Sequence, residues 1–112
     1  MKKQSPVTYD RVRRWALALP NVAEGQSYGA PALKVKGELF VRWREELDSI
    51  VLKMPFDRRD ELMAGDPETY YITDHYLEYE WVLVRLGKVR EDAMRDLLQI
   101  AHRAALHKPR NV

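Results

Sequence analysis

The 112-residue chain contains no cysteine. That excludes a disulfide framework, a thiolate metal site and a cysteine nucleophile, and it fits a reducing compartment. No apolar run approaches the roughly 18 residues that would suggest a membrane span. The opening MKKQSPVTYD carries two lysines and no apolar segment, so a secretory signal is not expected and a cytoplasmic location is. Repeats, low-complexity tracts and linkers are missing as well. Gly25, Gly29 and Gly37 fit no phosphate-loop spacing. What is present is globular: 46% hydrophobic and 32% charged residues, in a length suited to one domain spanning 1–112.

Net charge is only +2, but it is unevenly spread along the chain. Residues 1–44 carry nine Lys/Arg against three acids, for +6; residues 45–80 carry −8; residues 81–112 carry +4. Such a chain either mixes its charges on folding or presents one basic and one acidic face, and a basic face attracts phosphate backbones.

Periodicity gives the elements. Thr8 is a candidate N-cap for a helix to Leu19, with Val12, Trp15, Ala16 and Leu19 on one stripe and Pro20 as its stop. Residues 21–31 read as a loop. From Ala32 the period becomes two: Leu33 and Val35 alternate with Lys34 and Lys36, Gly37 turns the chain, and Leu39 to Arg44 alternate again, which predicts a β-hairpin. Further strands are expected at Ser49 to Met54, Tyr70 to Thr73 and Trp81 to Leu86. A short helix is expected from Asp57 to Ala64, closed by Gly65. Asp74 to Glu80 reads as a polar connection. A final helix from about Arg90 to His107 gathers Met94, Leu97, Leu98, Ala101, Ala104 and Ala105 on one side. Its first turn holds Glu91 and Asp92, where the helix dipole favours acids. The expected fold is α+β: an antiparallel sheet of five or six strands with the N- and C-terminal helices on one face, leaving the other to solvent or a partner.

The stretch LPNVAEGQSYGAPALKVKGELFVRW, followed by YYITDHYLEYEWVLVRL and a C-terminal helix, resembles the MmcQ/YjbR family from about Arg11 to Leu106. The residues carrying the resemblance are Leu19-Pro20, Glu24, Tyr28-Gly29, Lys36-Gly37 with Leu39-Phe40, and Trp81 to Leu86. The resemblance implies a CyaY-like, frataxin-type fold and DNA binding, and it brings no catalytic set with it. Where many members have Ser-Tyr late in the last helix, this chain has Ala101-His102-Arg103.

Strand alternation turns Lys34 and Lys36 away from the core. It sets Leu39, Val41 and Trp43 on one face and Phe40, Arg42 and Arg44 on the other, with Lys53, Trp81 and Arg85 of matching parity. A sheet face bearing these cations and two aromatics would neutralise phosphates with counterion release and stack on bases. Nucleic acid, as duplex DNA bound with little sequence preference, is therefore the expected partner, with Lys34, Lys36, Phe40, Arg42, Arg44, Trp81 and Arg85 as contacts. No enzyme activity, metal or cofactor is expected. The alternative is a protein-interaction or small-ligand module of the same fold, and a homodimer through the open face or the hairpin edge is left open.

Other clusters weigh less. Lys2, Lys3, Arg11, Arg13 and Arg14 read as the polar side of the first helix or an extension of the basic face. Asp74-His75-Tyr76, with Glu78 and Glu80, looks most like a site but matches no zinc or di-iron spacing and reads as a structural loop. His102 and His107 are five apart, off a shared helical face, and are expected at the surface. Asp57, Asp60, Glu61, Asp66 and Glu68 resemble the acidic iron edge of frataxin-like proteins but lie in the wrong helix for it. Tyr28 either pins its loop as a buried ring or lines a pocket between loop and sheet.

Overall fold

The computed structural model describes residues 6–107. Helix α1 (Tyr9–Leu17) opens on Thr8, whose hydroxyl accepts a hydrogen bond from the Arg11 backbone N–H at 3.2 Å. Strands β1 (Val22–Ser27), β2 (Ala30–Val35) and β3 (Glu38–Arg44) follow as two consecutive hairpins. Next come β4 (Ser49–Lys53), helix α2 (Phe56–Gly65), a two-residue strand β5 (Tyr70–Tyr71), β6 (Trp81–Arg85) and helix α3 (Glu91–Leu106). All pairings are antiparallel, in the order β1-β2-β3-β4-β6-β5. The α+β class and the helices on one face agree with the sequence pattern.

The sixth strand is β1, in a segment read as a loop. Ala23, Glu24, Gly25 and Gln26 have low strand propensity, and an edge strand needs little of it because only one side is paired. Its pairing with β2 runs from Val22↔Val35 to Ser27↔Ala30. The two hairpins turn on Tyr28-Gly29 and Lys36-Gly37, with positive φ at both residues of each pair: 51° and 77°, then 50° and 82°. These are type I′ turns, whose twist matches that of the strands. Lys36 therefore sits in a turn and not in β2.

One face of the sheet carries the main core. Leu33, Val35, Phe40, Val41, Ile50, Leu52, Val82 and Val84 pack there against Val12 and Ala16 of α1 and Met94, Leu97, Leu98, Ala101 and Ala105 of α3. Fully burying one such side chain contributes about 1.5–3 kcal/mol, so this layer holds most of the fold's stability. Arg11 of α1 pairs with Glu91 of α3 at 2.5 Å, and Arg13 pairs with Glu24 of β1 at 2.8 Å. His102 is buried rather than at the surface, with Nε2 2.8 Å from the Pro20 carbonyl and its ring edge-on to Phe40. It ties α3 to the turn after α1.

The opposite face is not fully open. Residues 72–80, of which Ile72 and Thr73 were expected in a strand and Asp74 to Glu80 as a polar connection, fold back over β4 and β6 through a 3-10 turn at Asp74–Tyr76. Tyr76 is buried there with Val51 and Leu83, flanked by Tyr71, Ile72 and Trp81. No helix among the described residues is long and apolar enough to cross a membrane.

Candidate functional site

The register decides which side chains share the second face. Arg42 pairs with Ala32 and Val51, and Val51 with Leu83; Arg44 pairs with Ser49, and Ser49 with Arg85. Val41 and Trp43, on the same strand, lie on the helix-covered face. Between Leu33 and Lys34 the β2–β3 register shifts, so that Leu33 opposes Val41 and Lys34 opposes Leu39. This bulge turns Phe40 to the same side as Val41. Phe40 is 0% exposed, in contact with His102, and it cannot touch a nucleic acid as the strict alternation predicted. Leu39 takes its place on the second face.

Where the 72–80 segment stops covering that face, a cleft of about 650 Å³ remains. Its floor is Leu39, Arg42, Arg44 and Val51 of the sheet; one wall is Ser27 and Tyr28 of the first hairpin; the other is His75, Tyr76, Tyr79 and Trp81. The size falls in the range usual for small-ligand pockets. Arg42 Nε donates to the Ser27 carbonyl at 3.0 Å, and its guanidinium lies 5.5 Å from the centroid of the Tyr28 ring. Its terminal nitrogens make no hydrogen bond among the described residues. Arg44 Nε donates to Glu46 at 2.8 Å and a terminal nitrogen lies 3.4 Å from the Tyr76 hydroxyl. The Glu46 hydrogen bond is the largest cause holding the Arg44 guanidinium above its ordinary range. Backbone hydrogen bonding first, and then Arg44, hold the Glu46 carboxyl below the usual carboxylate range. The Arg44–Glu46 pair is thus kept charged.

Tyr28 stands out for its position. It is 94% exposed, so it does not pin the loop; it forms the rim of the cleft. It also occupies the left-handed region at φ 51°, where a β-carbon costs about 1–2 kcal/mol. Of the other non-glycine residues there, Asn21 and Asp48 are types that tolerate the conformation; Lys36 is not.

The remaining predicted contacts divide. Trp81 lines the cleft with Lys53 5.1 Å from its ring centroid. Lys34 is half-buried at the margin, its stem passing over Gly25, and Lys36 is exposed at a hairpin tip. Arg85 stands apart: its guanidinium stacks on Tyr71 at 3.9 Å and donates to the Glu68 carbonyl at 2.9 Å. Arg42, Arg44 and Trp81 therefore converge, whereas Lys36, Phe40 and Arg85 do not. Arg11, Arg13 and Arg14 are engaged in ion pairs, and Lys2 and Lys3 lie outside the described residues.

His75 is exposed on the cleft wall, edge-on to Tyr76, and no carboxylate hydrogen-bonds to it among the described residues. The acids Asp57, Asp60, Glu61, Asp66 and Glu68 are all exposed. Among the described residues no three His, Asp or Glu side chains converge as metal ligands would.

One residue that matters was not singled out from the sequence. Arg59 of α2 is 5% exposed and donates to the carbonyls of Tyr76 (3.1 Å), Leu77 (3.2 Å) and Tyr79 (2.8 Å). It satisfies the backbone of the segment that forms the cleft wall, and so acts on the site at one remove. Its Nε, 3.6 Å from the exposed Asp60, has no hydrogen-bond partner. A signal did exist: Arg59 lies three and four residues before Leu62 and Met63, on the helix face that packs inward.

The architecture matches protein DR2400 of Deinococcus radiodurans, a crystal structure with a DUF419 domain. The TM-score is 0.80 at 24% identity, covering 95% of this chain and 84% of that one. At that identity the likeness speaks for the fold. No curated protein matches the chain. The YjbR family model matches residues 17–104, a span that includes both walls of the cleft, its floor and Arg59. On that match the chain belongs to the YjbR family.

Proposed function

We propose that the protein binds nucleic acid without chemically transforming it, through the part of the second sheet face that the 72–80 segment leaves uncovered. The observation that carries this reading is the pair Arg42 and Arg44, two residues apart on β3. Both line one concavity, and among the described residues the terminal nitrogens of Arg42 make no hydrogen bond. A planar guanidinium offers forked donors to phosphate oxygens. Lys34, paired with Leu39, lies at the margin of this centre, Lys36 stands further off at a hairpin tip, and Trp81 supplies an apolar surface. Contacts to phosphate carry no base identity, so sequence preference is expected to be low. A cytoplasmic location goes with this partner.

The test is fluorescence anisotropy of labelled DNA with the wild-type chain and with the Arg42→Glu, Arg44→Glu double variant. Loss of binding with an unchanged circular dichroism spectrum is expected; unaltered affinity would sink the assignment to this face. A second reading, a small-ligand module at the same cleft, is favoured by the cleft's volume and aromatic lining. Its mark would be an uncharged aromatic ligand bound with little dependence on salt.

A further inference from the structure

The shape of the cleft narrows the nucleic-acid reading, on which this inference rests. We propose that the cleft receives one unstacked nucleobase, held against the Tyr28 rim, with a single phosphate on Arg42.

Three observations lead there. Tyr28 gives the fold almost nothing: its ring is 94% exposed and its backbone is strained. Lys36 shows the same strain at the equivalent turn position, so the strain belongs to the hairpin, and it is the exposed ring that points to an occupant. Tyr28 and Trp81 line one concavity from the first hairpin and from β6, with Arg42 on β3, a strand that lies between them in the sheet. Aromatic rings stack on a base only when its π-face is uncovered, and in a duplex both faces of each base are taken by its neighbours. The cationic chemistry also fits one phosphate rather than several. Arg44 is already paired with Glu46, whose carboxylate would repel a second phosphate. The adjoining hollow at Lys53 and Trp81 is bounded by Glu78 and Glu80, which disfavour a backbone track in that direction.

A base with one phosphate arises in two ways: as an unpaired position in a strand, or as a free nucleotide. The experiment separates these. The full chain is titrated into a single-stranded oligonucleotide carrying one fluorescent adenine analogue, into the matching duplex, into the duplex with one bulged analogue, and into the free nucleotide. Stacking is worth about 1–3 kcal/mol per base, or about fivefold to 150-fold in affinity. The single strand and the bulged duplex should therefore bind at least about fivefold more tightly than the perfect duplex, with quenching of the analogue. Tyr28→Asn, which suits the left-handed position, should remove that advantage of single strand and bulge over the perfect duplex. The logarithmic salt slope should be near that of one phosphate, about −0.7 for a single strand. Quenching by the free nucleotide that depends on Tyr28 would identify the mononucleotide as sufficient.

Perfect duplex bound as tightly as single strand, with no effect of Tyr28→Asn, would overturn the base-capture inference and leave nucleic-acid binding standing. No binding to any of these forms would remove both.

Discussion

Tyr28 and Lys36 occupy the same position in two neighbouring type I′ hairpins, each followed by glycine, at φ 51° and 50°. Changing either to Asn keeps the turn and lowers the cost of the left-handed residue. With that cost at about 1–2 kcal/mol for a β-carbon residue, and partly retained by Asn, the backbone gain is about 1 kcal/mol per site. Among the described residues no ring stacks on Lys36, so Lys36→Asn should realise most of that gain. Tyr28→Asn also loses the ring over the Arg42 guanidinium, a contact 5.5 Å from centroid to carbon. At an exposed site near the outer limit for such contacts it is worth about 0.5 kcal/mol. For a domain of this size about 1 kcal/mol moves Tm by about 4 °C. Thermal unfolding followed by circular dichroism should therefore show Tm rising by about 4 °C for Lys36→Asn and about 2 °C for Tyr28→Asn. The difference between the two isolates the ring–guanidinium contact. A fall in Tm for Tyr28→Asn would mean the ring contributes to the fold, and the argument that its exposure serves binding would fail.

Replacing Arg59 by Met keeps much of its volume and removes the donors to the carbonyls of Tyr76, Leu77 and Tyr79. Leaving one buried and two part-buried carbonyls without this donor should cost about 2 kcal/mol, measured by urea denaturation, and weaken any binding at the cleft; a loss well under half of that would refute the stapling role. At high pH, burial first and the Glu24 carboxylate second push the Tyr9 phenol up to about 12, and burial likewise raises Tyr70. A raised phenol keeps its proton in the folded state after the unfolded chain has released it. Its contribution is thus intact below about pH 10 and is lost as pH climbs towards 12. Stability should fall across that window, and Tyr9→Phe should flatten the fall; an unchanged slope would remove Tyr9 from the account.

Strands β2, β3, β4 and β6 and helices α1 and α3 were legible because their apolar residues repeat at two or near 3.6 and their ends carry caps or turn residues. Arg42 and Arg44 followed from the same alternation on β3. Strand β1 was hidden because its pairing is imposed by the hairpin turn and by β2, not by its own Ala, Glu, Gly and Gln. Phe40 was misassigned because a bulge adds one residue to one strand, and no local composition marks it. The cleft wall was unreadable for a further reason. Asp74 to Glu80 looks solvated, and its packing on the sheet depends on Tyr76 meeting Val51 and Leu83 and on an arginine supplied from another element.

The two faces of the sheet are secured very unequally. The main core spans both long helices and the central strands, whereas the second rests on Val51, Tyr76 and Leu83, with a guanidinium gripping the backbone behind them. The backbone hydrogen bonds within the wall are short-range, from Tyr76 to Thr73, Leu77 to Asp74 and Tyr79 to Tyr76. Such a segment is a small cooperative unit of its own, able to open without loosening the helices. The free energy that keeps the cleft formed is therefore smaller than the free energy that keeps the protein folded, and Arg59 carries part of both. An occupant that closes on Tyr76 and Tyr79 adds its binding free energy to both, so it would protect the backbone amides of this weakest unit from exchange as well as raise the melting temperature of the whole.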